Sequence, residues 1–236
     1  MSALTIVQDA SSAMGLTQPS TIESSSDSQA IKMLSLLNRL GKQLNRSFDW
    51  QTMVRKTNFT TDGSSEYIIS ASPVSVTDFA NITTPLIYNY TENRAIVGMG
   101  ANEDQLRRMY GITNVSDNKF RILNDKLLFD SAIPSGQDLH FEYKSKNLVI
   151  PANGSDKSAF NLDADTSYLD EELLTLGLIY KFKNETGLTY DEEFREYQTY
   201  LSNLKDQDKQ KLVVDMGKAY PYRRFSNTYI NIPDSF

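Results

Sequence analysis

TSYLDEELLTLGLIYKFKNETGLTYDEEFREYQTYLSNL, residues 166–204, carries two successive helical periods separated by one glycine, and its reading decides the fold class. Leu169, Leu173, Leu176 and Tyr180 recur at steps of four, three and four. That spacing keeps apolar side chains on one side of a 3.6-residue helix. Leu174, Leu178, Ile179 and Phe182 widen the stripe. Ser167 followed by Asp170 reads as a cap with an acidic partner, and Lys181 and Lys183 fall in the last turn, where cations suit the helix dipole. Gly187 is the expected stop. Thr189 with Glu192 then opens a second helix, whose stripe is Tyr190, Phe194, Tyr197, Leu201 and Leu204. The stretch is therefore a helical hairpin in which each helix has a face that needs a partner.

Toward the N-terminus the partners are visible. Ser26 and Gln29 form a cap pair, and Met33, Leu37, Leu40 and Leu44 recur on one face, reinforced by Ile31, Leu34 and Leu36. Gly41 within this helix costs about 1 kcal/mol relative to Ala unless another backbone approaches closely. Phe48, Asp49 and Trp50 end it, and Trp50 is large enough to seal one end of a core. Residues 3–14 suit a shorter helix with Leu4, Val7 and Met14 inward, stopped by Gly15.

From about residue 53 to residue 149 the texture changes. VRKTNFTT, EYIISA, PLIYNY, FRILND, KLLFD and LHFEYKS are short runs rich in Val, Ile, Phe and Tyr, separated by Asp-Gly, Asn-Asp, Pro and Ser-Gly breaks. Such runs read as strands joined by tight turns. Phe120 and Ile122, then Leu127 and Phe129, flank Asn124-Asp125 as a hairpin, and Phe141 and Tyr143 alternate with Glu142 and Lys144 as a half-buried strand. Residues 101–110 read as a helix inside this region, stopped by Gly111, and 151–165 as a polar loop returning to the helices.

The expected fold class is α+β. An antiparallel helical bundle forms from residues 1–51 and 160–216, an antiparallel β domain (52–159) is inserted in it, and residues 217–236 are an extended C-terminal arm. The expected bundle core is Leu37, Leu40, Leu44, Trp50, Leu169, Leu173, Leu176, Tyr180, Phe194, Tyr197 and Leu201.

Catalytic signals are thin. The chain has no Cys, which removes disulfides, thiolate catalysis and thiolate metal sites, and fits a reducing cytosol. The single histidine, His140, falls in an alternating strand and reads as a surface or pairing residue. Asp170-Glu171-Glu172 and Asp191-Glu192-Glu193 could suggest a carboxylate-bridged metal, but neither cluster carries the His that di-iron helices use, and both sit in first turns, where acids suit the dipole. No phosphate-cradling glycine loop or nucleophile elbow occurs. No enzyme and no cofactor or metal is expected. Neither a secretory leader nor a membrane-spanning run is apparent, so Asn58, Asn81 and Asn89 in their Asn-x-Ser/Thr triplets are not read as glycan sites. A net charge of -6 argues against a protein that grips nucleic acid through its phosphates, and is compatible with one that surrounds DNA without holding it.

The best interaction feature is the aromatic arm, with Tyr220, Pro221, Tyr222, Arg223, Arg224 and Phe225, then Tyr229. Tyr and Arg are enriched at interface hot spots, and Pro limits the entropy lost on ordering.

The series Leu36-Leu37-Asn38-Arg39-Leu40-Gly41-Lys42, followed by Phe48-Asp49-Trp50-Gln51, resembles the start of bacteriophage head-to-tail adaptor proteins of the tail tubular protein A type. The resemblance continues through Phe120-Arg121-Ile122-Leu123-Asn124, Lys126-Leu127-Leu128-Phe129-Asp130, Pro134-Ser135-Gly136 and Phe141-Glu142-Tyr143. It is strongest at Leu169-Asp170-Glu171-Glu172-Leu173 and from Leu176-Gly177-Leu178 to Tyr180-Lys181-Phe182-Lys183, and extends over Gly187-Leu188-Thr189-Tyr190 and Phe194-Arg195-Glu196-Tyr197. Tyr180 stands where the family pattern has Trp, and residues 78–118 and the arm fall outside the resemblance. What it implies is a structural virion protein of the phage neck, assembled in the host cytoplasm into a ring usually of twelve copies. The ring would dock under the portal protein, join it to a tail tube or nozzle protein, and let double-stranded DNA pass without specific binding. The helical part would face portal and neighbours, and the arm would reach one of them. The alternatives are another phage neck or tail-terminator ring subunit, a plain monomeric interaction module, or a small carboxylate-dependent hydrolase.

Overall fold

A computed structural model of the chain describes residues 2–104 and 118–209. The fold is mixed α+β: helices α1 (Ala3–Ala13), α2 (Ser28–Ser47), α3 (Glu171–Thr186) and α4 (Asp191–Lys209) share one core, and a curled seven-stranded sheet encloses another.

The helical core is built from the periodic stripes. Leu37, Leu40 and Leu44 of α2 meet Leu173, Leu174 and Leu178 of α3, with Ile6, Val7 and Ala10 of α1 against them, all buried. Trp50 is buried at the end of α2, its Nε1 donating to the Leu44 carbonyl at 3.0 Å and its ring edge-on to Phe48. The caps differ from expectation by local competition among polar neighbours. Asp27, not Ser26, caps α2 by accepting from Gln29 N, and Asp170, not Ser167, caps α3 by accepting from Leu173 N at 2.9 Å. Ser167 instead accepts from Leu169 N. Gly187 ends α3 with φ 73°, the left-handed conformation that L side chains avoid, and Leu188 N closes the turn on the Lys183 carbonyl.

The sheet comprises β1 (Val54–Thr60), β2 (Glu66–Ile68), β3 (Phe79–Asn89), β4 (Arg94–Gly98), β5 (Lys119–Leu123), β6 (Lys126–Phe129) and β7 (Asp138–Ser145), in the order β1-β7-β3-β4-β5-β6-β2. Its edge strands meet across the interior, because the Phe59 and Tyr67 rings lie 5.1 Å apart. Phe59, Ile87, Ile96, Phe120, Leu139 and Phe141 fill that interior. The Asn124-Asp125 hairpin forms with Phe120 opposite Phe129 and Ile122 opposite Leu127. Asn124 holds φ 56°, a region that penalises branched side chains. Asn124→Val is expected to lower stability by about 1–2 kcal/mol, whereas Asn124→Gly is expected to be tolerated, as chemical denaturation would read.

Three features correct the expected β domain. The sheet is not wholly antiparallel, since β4 and β5 pair in parallel. β4 itself is a strand that the runs above do not include. Lys144 does not face solvent: it is buried, its Nζ donating to the Phe48 carbonyl at 2.7 Å and to Asp49 Oδ1 at 3.0 Å. With Asn45 Nδ2 on the Ser145 carbonyl, this ammonium ties the end of α2 to the end of β7. Its pairing partner and the spent carbonyl are what make burying a lysine tolerable.

The return to the helical core comes early. Leu148 and Val149 pack with the helices, as does Phe160, and β8 (Val149–Ile150) pairs with β9 (Thr166–Ser167) ahead of α3. Of the helix expected over 101–110, residues 101–104 are helical and the rest lie outside the described residues. Among the described residues, no helix is long and apolar enough to cross a membrane.

Candidate interaction surfaces

Each expected core side chain has a definite place. Leu37, Leu40, Leu44, Trp50, Leu169, Leu173 and Tyr197 are buried in the helical core, and Leu176, Tyr180, Phe194 and Leu201 pack against it partly buried. The Tyr180 ring packs at a tilt against those of Phe194 and Tyr197, at ring distances of 5.3 and 4.9 Å. Burial, with a smaller contribution from Tyr180, pushes the Tyr197 phenol up to about 12, so it stays neutral at ordinary pH. The arm residues Tyr220, Tyr222, Arg223, Arg224, Phe225 and Tyr229 lie outside the described residues.

One residue of each acidic cluster has structural employment. Asp170 caps α3, and Glu193 receives the Lys183 ammonium across the hairpin. Hydrogen bonding from Lys183 holds the Glu193 carboxyl below its usual range. Among the described residues, no group of three His, Cys, Asp or Glu side chains is placed to hold a metal. His140 Nε2 sits 2.9 Å from Asp138 Oδ2, and its ring lies 4.1 Å from that of Tyr90.

That ring contact belongs to an exposed apolar surface of the described sheet. Along β3 and β4 the inward pair Ile87 and Ile96 alternates with the outward pair Leu86 and Val97, which are 40% and 48% exposed. Tyr88 and Tyr90 stand edge to face beside them, Tyr90 60% exposed. Between Ile82, opposite Tyr143, and Ile87, opposite Phe141, β3 carries residues 83–86 where β7 has only Glu142. Thr84, Pro85 and Leu86 of this bulge line a concavity of about 630 Å³ together with Tyr88, Tyr90 and His140. Gly98 makes room for the bulge, since a Cβ there would lie 3.1 Å from Pro85 Cβ. Contiguous apolar surface of this kind, rimmed by Lys56 and Glu142, marks a protein-contact site more often than bare solvent-facing sheet.

No family model matches the chain, and no curated protein matches it.

The outer-sheet patch escaped sequence reasoning because Leu86 and Val97 have the residue types of a core strand. Pro85 inside a β-rich run was the available signal, since Pro in a strand marks an edge or a bulge.

Proposed function

We propose that this chain is a subunit of a phage head-to-tail adaptor ring, joining the portal to the tail around the DNA exit channel. The observation that carries the proposal is the ordered series of motifs from Leu36 to Tyr197, which resembles the tail tubular protein A family in sequence order and spacing. Many of the matched residues, Leu37, Leu40, Trp50, Leu173 and Leu178 among them, are core residues of the helical part, so the likeness extends to what holds that part together. In this reading the helices make an antiparallel bundle that faces portal and neighbouring copies, and the arm reaches one of these. The sheet, with Leu86, Tyr90 and Val97 on its outer face, meets a tail tube or nozzle protein. The protein works in the virion after assembly in the host cytoplasm. A net charge of -6 lets a polyanion slide through the channel. Copies meet by heterologous contacts that close by rotation.

Light scattering of the purified chain, alone and with a candidate portal, tests this. The expected result is a ring near twelve copies, or a monomer that joins portal at one copy per portal subunit. A sixfold ring would point to a tail terminator, and a monomer indifferent to portal would sink the reading. Leu86→Ser with Tyr90→Ser is expected to leave that mass unchanged while weakening capture of the tail component at least tenfold, as losing about 1.4 kcal/mol at a hot spot would.

A further inference from the structure

The described part of α4 stops at Lys209, beside a groove of about 570 Å³ between the first turn of α3 and the end of α4. Its apolar lining is Trp50, Tyr168, Leu169 and Leu204. Its rim is acidic: Asp170, Glu171, Glu172 and Asp208 contribute four carboxylates, with no Lys, Arg or His among the described residues that line it. Two of these carboxylates are fixed in position. Asp170 Oδ1 accepts from Leu173 N at 2.9 Å, and Asp208 Oδ2 accepts from Gln51 N at 3.0 Å. Asp170 also takes a hydrogen bond from the Tyr200 hydroxyl, whereas a carboxylate held by one oxygen, as Asp208 is, keeps acceptor capacity for an incoming donor.

The chain that continues from this point has the complementary chemistry. Residues 210–236 carry a net charge of +2, from Lys211, Lys218, Arg223 and Arg224 against Asp215 and Asp234, in a protein whose total is -6. The two arginines are adjacent and flanked by Tyr220, Tyr222 and Phe225. We propose that the groove seats the chain's own segment 220–225, with Arg223 and Arg224 on the acidic rim and an aromatic ring against the Trp50 and Leu204 wall. The planar guanidinium suits paired carboxylates, and the groove volume falls in the range that encloses small ligands, about 300–1,000 Å³. Residues 209–219 extend at most ~40 Å, enough to turn back from Asp208. Attachment to the groove's own rim gives the segment a local concentration on the order of millimolar, well above that of a second copy in dilute solution. This seat goes beyond the adaptor reading and does not depend on it; in an adaptor it would hold the arm on its own protomer before assembly.

The test uses the full chain, which has no Cys and a single Trp. Glu172→Cys combined with Arg224→Cys is oxidised mildly and compared with Arg46→Cys combined with Arg224→Cys, Arg46 being exposed on α2 and outside the groove. The expected result is a disulfide within one chain, running at monomer mass on a non-reducing gel, in the first variant and not in the second. A second measurement follows Trp50 emission in a chain with Arg223→Glu and Arg224→Glu. Acrylamide quenching should rise about twofold while the far-ultraviolet circular dichroism stays that of the parent. The proposal is overturned if the first variant crosslinks no better than the control, if it crosslinks only between chains, or if Trp50 quenching is unchanged in the folded charge-reversal variant.

Discussion

Gly177→Val is expected to cost the fold about 3 kcal/mol, read as a lower denaturation midpoint by Trp50 fluorescence. Gly177 lies in the middle of α3, where glycine itself costs about 1 kcal/mol relative to alanine. What requires it is the approach of two other helices. A Cβ at 177 would sit 2.5 Å from Leu40 Cδ2, and 3.0 Å from both Leu40 Cδ1 and Tyr197 Cε2. Neither neighbour yields easily, because Leu40 is fully buried in α2 and Tyr197 is buried between α3 and α4. Even Gly177→Ala should therefore lose stability, the overpacking penalty exceeding the propensity gain. Gly41 gives the contrast within the same core. Its added Cβ would meet Leu148 Cδ1 at 3.1 Å, the end of one side chain, so Gly41→Ala should change stability by no more than about 1 kcal/mol. A midpoint for Gly177→Val equal to the parent's would mean that the helices do not approach as closely as these distances require.

The same pair of glycines shows what was legible in the sequence. Both sit in apolar stripes, and spacing marks each as an interior glycine without saying which one another helix touches. Signals confined to a few neighbouring residues read correctly: Gly187 stops α3, and Asn124-Asp125 turns one strand back on the next. Caps were legible only to within one to three residues, because residues 24–28 are Ser-Ser-Ser-Asp-Ser and any of them offers an oxygen, as both Ser167 and Asp170 do ahead of α3. Features set by distant contacts were not legible. Lys144 reads as the polar half of an alternation, yet it is buried because Phe48 and Asp49, far away in sequence, supply its acceptors. The parallel pairing of β4 with β5 has no local signature, since it spans only two residue pairs, too few to impose the apolar run of a parallel sheet. Of the candidate surfaces, the acidic first turn of α3 was visible but not its enclosure by Trp50 and Leu204. The outer-sheet patch was hidden because apolar residues on a strand announce burial, not which face is buried.

The loop ahead of α3 is the strongest case of long-range chemistry, and Asp165→Ala is expected to lower stability by about 3 kcal/mol. The Asp165 side chain is 0% exposed, and Oδ2 accepts from Asn161 N at 2.9 Å and Leu162 N at 3.0 Å. Lys157 Nζ lies 2.9 and 3.0 Å from its two oxygens. Its neighbour Asp163 accepts from Thr21 Oγ1, Ile22 N and Glu23 N, while the carbonyls of 165 and 163 receive the amides of Ala3 and Leu4 at the start of α1. Removing the Asp165 carboxylate leaves the amides of Asn161 and Leu162 without their acceptor and the Lys157 ammonium with Asn161 Oδ1 alone, which costs more than the bonds themselves contribute. Burial alone would raise both carboxyls, but the donors outweigh it and hold each below its ordinary 3.8. A carboxyl depressed in the folded state binds its proton more readily when unfolded. Its stabilising contribution is therefore complete above about pH 5 and lost as pH falls through 3.8 toward the folded value. Denaturation midpoints of the parent should hold between pH 7 and pH 5 as far as these two groups decide, then drop. Asp165→Asn should start lower at pH 7, with the gap to the parent narrowing below pH 4. A constant gap down to pH 2 would mean that the charge of Asp165 contributes nothing, and that its hydrogen bonds alone hold the loop to α1.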